Sequence, residues 1–328
     1  MWSVTPEHTT SPYIGELVPA IESLDWTVSH LSLRELTRTT SRIVHIQWPE
    51  HVSRGPDKLR TTLKNVRAIV LLVVLRARRH KVIVTAHNLV PHGTVNAIDS
   101  RFRTAIMKSA DAVVVLAPDH AEVLRAQGLV GSDAEIVLAE LPMLTATPRS
   151  NSTRADPLAH LLMLGLIHPY HRVGEVVDTL IERGNTRPLV VAGSVGDDRL
   201  VDRLHRLSED HPWLDVRPSF QSGAALDELV DGAAAAISLQ QTPFNSGAGP
   251  FALPRHLPVA LSQSSQAAMY AAAVGDEWVY QVPSDLESWS LEHFETWLAA
   301  DRTTPDLSKF TLAEVAGTHV ALYNSMLR

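Results

Sequence analysis

Short apolar segments recur along the first half of the chain, and longer stretches with apolar residues at helical spacing separate them. The apolar segments are rich in β-branched residues and lie at residues 42–46, 81–85, 112–116 and 135–138. Buried strands that alternate with amphipathic helices are typical of a parallel sheet covered by helices. The pattern therefore predicts an α/β domain in the first half.

The same alternation restarts after a stretch that lacks it. Residues 141–157 are rich in Pro, Ser, Thr and Asn without periodicity, which is typical of an exposed linker. Beyond them the pattern predicts strands at 161–164, 188–192, 214–217 and 234–239, with helices from residue 174, at 197–208 and at 224–230. We expect a second doubly wound α/β domain here.

The end of the chain predicts one more helix, at residues 313–327, because its apolar positions have helical spacing. We expect this helix to pack back against the junction of the two domains. The predicted organisation is an N-terminal domain at 1–145, a linker at 146–158, a C-terminal domain at 159–310 and the terminal helix at 311–328.

Composition narrows the classes of function. The chain has 328 residues, 45% of them hydrophobic, and no cysteine. The lack of cysteine excludes disulfides, thiolate metal sites and cysteine nucleophiles, and it favours a cytoplasmic location. Residues 1–12 lack the basic and apolar segments of a cleaved signal, and the longest apolar run, 68–75, is shorter than the ~20 residues that span a bilayer.

The two halves differ in charge. Residues 1–150 hold 17 Lys and Arg against 14 Asp and Glu, whereas residues 151–328 hold 12 against 22. We expect no nucleic-acid partner, because such binding needs a concentrated basic face, which the acidic half lacks. Basic residues concentrate at 58–79, around the apolar run. This segment is either a helix that rests on an anionic membrane surface or a sheet-covering helix with cations near its C-terminus.

Polar residues that follow predicted strands are the candidates for a site, because ligands of open parallel sheets bind beyond the carboxyl ends of the strands. His45, Trp48 and Glu50 combine an imidazole, an aromatic ring and a carboxylate, a mixture that binds sugars. The alternative is a packed Trp48 with solvated neighbours. His87 and His92 follow the next strand, where an imidazole can accept a proton near neutral pH or bond a sugar hydroxyl. A lone histidine is, however, more often structural.

Two segments of the second half fit a diphosphate. Gly165 follows the first strand there and precedes His168, His171 and Arg172, which can stabilise the charge that develops on a leaving diphosphate. Gly247 lies in an Asn-Ser-Gly-Ala-Gly stretch that opens a predicted helix, where backbone N–H groups favour an anion. The alternative for this stretch is ordinary turn chemistry. Residues 232–275 contain no Asp or Glu, and no Asp-x-Asp pair is placed to hold a metal, so we expect neither a metal nor another cofactor.

Taken in order, these segments resemble those of bacterial GT-B glycosyltransferases of the retaining type that build exopolysaccharides and cell-envelope glycans. The similarity runs nearly end to end. The segments that carry it are Ser-Pro-Tyr from Ser11, His-Ile-Gln-Trp-Pro-Glu from His45, Thr-Ala-His-Asn-Leu-Val-Pro-His from Thr85, Ser-Ala-Asp-Ala-Val from Ser109, Gly-Leu-Ile-His-Pro-Tyr from Gly165, Val-Ala-Gly-Ser from Val191 and Asn-Ser-Gly from Asn245.

The resemblance implies two Rossmann-like domains that face each other across a cleft. It also implies metal-independent transfer of a sugar from a nucleotide diphosphate, the co-substrate, to a glycan or lipid-linked acceptor. His87 would lie near the reacting sugar as the catalytic candidate. The implied donor-binding residues are Gly165, His168, Tyr170, His171, Arg172, Gly193, Asn245, Ser246 and Gly247. The implied acceptor-binding residues are Tyr13, His45, Trp48, Glu50 and His92.

The chain departs from this family in two ways. These enzymes usually carry Arg and Lys where His168 and His171 stand, so we expect the affinity for phosphate to weaken as pH rises. Many of them also carry two glutamates around the Gly-rich helix start, and residues 243–251 contain none. Subfamilies with Asn-Ser-Gly at this point also lack the first glutamate, so the loss alone does not imply inactivity.

Three functions stay open. The first is an active glycosyltransferase, either cytoplasmic or peripheral at the inner face of the membrane. The second is a catalytically silent GT-B subunit that binds or activates a partner glycosyltransferase, which the replaced cations and missing glutamates favour. The third is a sugar-nucleotide epimerase of the same fold, but it needs acidic residues for proton transfer, which residues 232–275 lack.

Overall fold

The computed structural model of the protein describes residues 2–3, 11–32, 36, 42–49, 69–71, 73–89, 97–149 and 159–328. The chain divides into two compact units: Met1–Leu144 with Phe310–Arg328 forms unit 1, and Thr145–Lys309 forms unit 2. Glu50, His92, residues 58–68 of the basic segment and residues 150–158 of the predicted linker lie outside the described residues. Predictions that rest on them remain predictions.

Unit 1 is built on a five-stranded parallel sheet whose strands follow one another in chain order. The strands are β1 (Trp2–Ser3), β2 (Ile43–Ile46), β3 (Lys81–Thr85), β4 (Ala112–Val115) and β5 (Glu135–Leu138). The connecting helices are α1 (Pro12–Glu22), α2 (Ala97–Lys108), α3 (His120–Ala126) and a helical segment at residues 69–71 and 73–77. Strands β2 and β4 are buried at every position, as expected for a sheet covered on both faces.

Unit 2 is built on a six-stranded parallel sheet with spatial order β11-β10-β9-β6-β7-β8. The strands are β6 (His160–Leu164), β7 (Leu189–Ala192), β8 (Leu214–Arg217), β9 (Ala233–Ser238), β10 (Val259–Ser262) and β11 (Val279–Val282). The helices are α4 (Val173–Glu182), α5 (Asp198–Asp210), α6 (Gly223–Asp231), α7 (Ala248–Ala252), α8 (Ser265–Val274) and α9 (Leu291–Leu298). The strand order reverses between β6 and β9, and open α/β sheets bind ligands at such a switch point.

The core of unit 2 follows from the apolar spacing of its helices. Helix α4 buries Val173, Val176, Val177 and Leu180, which lie on one face at helical spacing. These residues join the buried side chains of β6, β7 and β9 in one cluster. Helix α5 starts at residue 198 because the Asp197 carboxylate accepts a hydrogen bond from the backbone N–H of Leu200.

The last helix, α10 (Leu312–Leu327), belongs to unit 1 although it follows the whole of unit 2. Val315, Ala316, Leu322 and Tyr323 of α10 share a core with Ile14 and Leu17 of α1. The Thr311 hydroxyl caps α10 by accepting from the backbone N–H of Glu314 at 3.2 Å.

The predicted pair of Rossmann-like α/β sheets is confirmed. Every predicted strand is present, with bounds within one residue of those expected. Strands β10 and β11 and helices α8 and α9 were not predicted. In the part of the chain that the structure describes, no helix combines the length and the apolar character needed to cross a bilayer.

Candidate active site

His87 lies just beyond the carboxyl end of β3, among aromatic rings. The rings of Trp48 and His87 are stacked, with centroids 4.5 Å apart and 17° between their planes. Tyr13, on the first turn of α1, meets the His87 ring edge-on at 5.4 Å. The side chain of His87 is only 6% exposed. Packing therefore fixes the orientation of the imidazole, and three predicted site residues from separate segments lie together.

A buried polar network lies behind these rings. His87 Nε2 is 2.9 Å from Gln47 Oε1, and Gln47 Nε2 is 3.3 Å from His45 Nε2. His45 Nε2 is also 2.7 Å from Thr85 Oγ1, and His45 Nδ1 is 2.8 Å from the Tyr323 hydroxyl. His45 is fully buried. This corrects the acceptor-binding role expected of His45, because the ring has no surface that a sugar can touch and both nitrogens bond protein atoms.

Burial keeps this network neutral. Desolvation lowers the pKa of His45 well below its ordinary range, and the neighbouring His319 and His87 lower it further. The His319 ring stacks on His45 at 5.6 Å, and burial lowers the pKa of His319 to about 4. Burial also raises the pKa of the Tyr13 phenol well above its ordinary value. Near pH 7, His45, His319 and Tyr13 therefore carry no charge.

Two predicted segments of unit 2 meet at the switch point of its sheet. Gly165 after β6, His171 and Ser238 at the end of β9 line one open pocket. Ser238 also lines a neighbouring pocket with Asn245 and Ser246. The hydroxyl oxygens of Ser238 and Ser246 are 3.4 Å apart. The segment after β6 and the turn before α7 are therefore neighbours, as expected for a common ligand.

Tyr170 ties these two segments together. Its backbone carbonyl accepts from the N–H of Gln241 at 3.0 Å, and its hydroxyl donates to the carbonyl of Thr242 at 3.1 Å. Pro169–His171 forms a single 3₁₀ turn capped by His168, whose Nδ1 accepts from the Tyr170 N–H at 3.1 Å. Since Nδ1 of His168 accepts, Nε2 is the nitrogen that can donate to a ligand.

Arg172 is held by protein groups. Its guanidinium forms an ion pair with Glu175 at 2.7 Å and donates to the carbonyl of Ser284 at 2.8 Å, and its side chain is 12% exposed. The expected permanent cation beside the diphosphate is therefore balanced by a carboxylate one helical turn away.

The turn before α7 is held by Gln266 of α8, which is 2% exposed. The Gln266 side chain accepts from the N–H of Ser246 at 2.7 Å and donates to Asn245 Oδ1 at 2.8 Å. The N–H of Ala248 donates to the Ser246 hydroxyl at 3.3 Å. The expectation of free backbone N–H groups at this turn is therefore wrong at Ser246 and Ala248.

The backbone of Gly193, after β7, touches the backbone of Gly165, after β6. Gly193 has a φ of 147°, and a Cβ built on it would lie 1.6 Å from the carbonyl oxygen of Gly165. Any larger residue would push the segment after β6 away from the sheet. This contact keeps Gly165 at the rim of its pocket.

Three apolar side chains that the sequence interpretation missed are exposed along the same edge of the sheet. Leu166, Val195 and Phe220 follow the adjacent strands β6, β7 and β8, and they are 46%, 41% and 78% exposed. Open parallel sheets bind ligands beyond this edge, so exposed side chains here are candidates for ligand contact. We call this set the edge patch. Among the described residues, no group of three His, Asp or Glu could hold a metal ion.

Comparisons with known proteins agree with this geometry, although no family model matches the chain. The chain is 26% identical over 332 residues to a GDP-mannose:glycolipid 4-beta-D-mannosyltransferase of Xanthomonas campestris, a match that covers 97% of this chain and 89% of that protein. In structure it is similar to sucrose-phosphate synthase from Thermosynechococcus elongatus, with a TM-score of 0.62 and 13% identity over 96% of this chain and 79% of that one. The chain is a glycosyltransferase with the GT-B fold.

A second solved structure has a similar fold. Anabaena HepE in complex with UDP and glucose has a TM-score of 0.60 and 11% identity over 96% of this chain and 84% of that one. The predicted fold and enzyme class of this glycosyltransferase are confirmed. Donor, acceptor and individual site residues go beyond these findings.

Proposed function

We propose that this glycosyltransferase moves a mannosyl group from GDP-mannose to a glycolipid acceptor without a metal ion. The observation that carries the proposal is the match to the Xanthomonas mannosyltransferase, which runs over 97% of this chain and therefore includes both units. Each unit has candidate site residues at the carboxyl edge of its sheet. This is the edge at which parallel α/β sheets bind ligands.

We assign the donor to unit 2, with its diphosphate at the junction of the two pockets around Ser238. Gly165, Tyr170, His171, Asn245 and Gly247 keep the donor-binding roles predicted for them. His168 Nε2, on the segment after β6, and the hydroxyls of Ser238 and Ser246 can donate hydrogen bonds to a phosphate. Because the charge of Arg172 is balanced by Glu175, we assign the phosphate contacts to these donors. Gly193 acts through its contact with Gly165.

The edge patch lies on the same side of the sheet and fits the nucleobase. A flat ring can stack on the exposed Phe220 side chain, and Leu166 and Val195 add exposed apolar surface along the same edge of the sheet. Base–aromatic stacking of this kind contributes about 1–3 kcal/mol.

We assign the acceptor to unit 1. Trp48 and Tyr13 offer aromatic surface beside His87, and an aromatic face is a suitable platform for the C–H face of a sugar ring. His87 is the catalytic or sugar-orienting residue, since its imidazole can accept a hydrogen bond from a hydroxyl near neutral pH. Glu50 and His92 remain predicted acceptor contacts.

A membrane contact fits a glycolipid acceptor. The helical segment at residues 69–71 and 73–77 exposes Ile69, Val70 and Val73, which are 56%, 43% and 60% exposed. Arg76 of this segment and Arg79, just beyond it, are exposed as well. Apolar side chains with adjacent arginines favour the surface of an anionic bilayer. We therefore propose a peripheral contact of this segment with the membrane.

The anomeric configuration of the product is tested separately. Retention, which the sequence resemblance implies, gives an α-mannoside from GDP-mannose, because the donor carries its sugar in α linkage. The name of the Xanthomonas relative specifies a β-linked product. We propose a β-linked product for this chain, and the one-bond ¹³C–¹H coupling at the anomeric carbon of the product distinguishes the two.

The deciding experiment incubates the full chain with GDP-mannose and short-chain glycolipids that end in different sugars, with EDTA present. Release of GDP together with a mannosylated lipid supports the proposal, and His87→Ala is expected to abolish transfer while GDP binding persists. Transfer only from a UDP- or dTDP-sugar would contradict the assigned donor. Absence of nucleotide binding, together with transfer that appears only when a partner glycosyltransferase is added, would favour the silent-subunit alternative.

A further inference from the structure

The hydrogen bonds of unit 1 form a continuous chain from α10 to His87. It runs from the Tyr323 hydroxyl to His45 Nδ1, from His45 Nε2 to Gln47 Nε2, and from Gln47 Oε1 to His87 Nε2. Tyr323, His45 and Gln47 are at most 2% exposed. No step passes through a solvent-exposed side chain, so the state of each residue constrains the next.

The Gln47 amide determines the direction of this chain. An amide nitrogen only donates and an amide oxygen only accepts. His45 Nε2 therefore accepts from Gln47, and also from the Thr85 hydroxyl at 2.7 Å. In a neutral ring the proton of His45 is then on Nδ1, which donates to the Tyr323 oxygen at 2.8 Å. At the other end, Gln47 Oε1 requires a proton on His87 Nε2.

The surroundings of His45 keep this direction in place. A second proton on His45 would put an N–H against the Gln47 NH₂ group and would force the amide to turn over. Burial opposes that proton, and so do the nearby imidazoles of His319, on α10, and His87, just beyond the end of β3. The hydroxyls of Thr85 and Tyr323 and the Gln47 amide also contact the ring nitrogens. A neutral His45 thus holds the Gln47 amide in one orientation.

We propose that Tyr323, His45 and Gln47 are positioning residues that hold His87 in the tautomer with its proton on Nε2, so that Nδ1 is its accepting nitrogen. The role of this nitrogen in catalysis rests on the proposed function, in which Nδ1 accepts a hydrogen bond from a hydroxyl of the acceptor sugar. Trp48 and Tyr13 fix the plane of the ring, and the chain of hydrogen bonds fixes its proton. One function of α10 is therefore to set the protonation of a residue just beyond β3.

Nuclear magnetic resonance of the full chain with ¹⁵N-labelled histidine tests the tautomer directly. The His87 signals are assigned by their loss in His87→Gln. We expect a protonated, pyrrole-type Nε2 and an unprotonated, pyridine-type Nδ1 at pH 7.5. A proton on Nδ1 of His87 in the unmodified protein would overturn the proposal, whatever the enzyme transfers.

Two substitutions test the hydrogen-bond chain. Gln47→Glu places a carboxylate at His87 Nε2, so we expect the population of doubly protonated His87 at pH 7 to rise several-fold. Tyr323→Phe removes the acceptor for His45 Nδ1–H, and we expect the His87 spectrum to show a mixture of both tautomers. Asn324→Ala, on an exposed position of the same helix, is the matched control and should leave the spectrum unchanged. An unchanged His87 spectrum in both variants would refute the positioning role.

Kinetics separate this role from general stabilisation. Tyr323→Phe should lower kcat at least fivefold with an unchanged KM for the donor and a fall in Tm no larger than that of Tyr280→Phe, a change in the core of unit 2. Equal losses of kcat in Tyr323→Phe and Tyr280→Phe would show that Tyr323 acts through stability alone. If the chain transfers no sugar, the spectra still decide the tautomer, so the two proposals fail separately.

Discussion

The backbone of Gly193 packs against that of Gly165 so closely that no side chain fits between them, since a Cβ on Gly193 would lie 1.6 Å from the Gly165 carbonyl oxygen. Gly193→Ala is therefore expected to destabilise unit 2 by about 3 kcal/mol or more, from the clash and from the left-handed backbone together. Urea unfolding measures this loss. Gly247→Ala is the control, because nothing lies within 4 Å of the Gly247 Cβ position and its φ is −76°. This variant should lose little free energy of unfolding. Equal losses in the two variants would contradict this interpretation.

Gln266 holds the Asn245–Gly247 turn through two hydrogen bonds, so its removal should loosen the proposed phosphate site. For Gln266→Ala we expect weaker GDP binding, by about tenfold, because two polar groups of the turn lose their partners. Isothermal titration calorimetry gives the affinity. Gln263→Ala, an exposed glutamine on the preceding loop, is the matched control and should bind GDP normally. Normal binding by Gln266→Ala would remove the turn from the donor site.

The edge patch makes a separate prediction about the nucleobase. Phe220→Ala should weaken GDP binding about tenfold, within the ~1–3 kcal/mol of base–aromatic stacking, while Tm stays constant because the side chain is 78% exposed. Mannose 1-phosphate, which has no base, should bind the variant and the unmodified protein equally. Weaker binding of both ligands would show that Phe220 does not act through the base.

Acid should destabilise unit 1 through its buried histidines. In the folded protein burial lowers the pKa of His319 to about 4, whereas an unfolded chain protonates histidine below about pH 6.5. The unfolded state therefore binds the extra proton between these values, and stability is lost as pH falls through that window. At pH 5 the loss is about 2 kcal/mol for one such group.

The variant His319→Met isolates this contribution. Denaturant unfolding of the variant and the unmodified protein at pH 7 and pH 5 should show a smaller pH dependence for the variant. His45, whose pKa is also lowered by burial, contributes part of the pH dependence that remains in the variant. An identical pH dependence in the two proteins would mean that His319 takes up no extra proton on unfolding.

The membrane contact is tested with vesicles. Val73→Asp should reduce co-sedimentation with phosphatidylglycerol vesicles, because it buries a charge in the interface. Arg76→Glu should reduce binding and its sensitivity to salt, since each cation near an anionic surface contributes about 1 kcal/mol. Leu24→Asp, at an exposed apolar residue elsewhere in unit 1, is the control. Unchanged sedimentation of Val73→Asp would contradict the contact.

Strand positions were predictable because a buried parallel strand leaves a continuous apolar run. The alternation after β9 was harder to read: α8 is rich in Ala with few large apolar residues, and β10 and β11 are only four residues each. The roles of Gln47 and Thr85 could have been predicted from strand alternation. Gln47 lies on the same face of its strand as His45, and Thr85 lies on the same face as His87. The register, which pairs Ile46 of β2 with Val84 of β3, brings the two strand ends side by side.

Other parts of the site had no local signal. The bond between His45 and Tyr323 spans 278 positions, and the spacing of apolar residues in α10 does not tell which sheet the helix will cover. Arg172 and Glu175, which form an ion pair, are three positions apart, and this spacing is visible in the sequence. Whether such a pair forms depends on the rotamers that the surrounding turn allows, which only the folded chain determines.

Because α10 follows the whole of unit 2 and yet completes the core of unit 1, strands β1–β5 are synthesised long before the helix that covers them. On the ribosome these strands must wait with an uncovered apolar surface while all of unit 2 emerges, whereas domains ordinarily fold as they appear. Loss of α10 by proteolysis or an early stop codon would therefore damage unit 1 rather than unit 2, which precedes the helix in the chain.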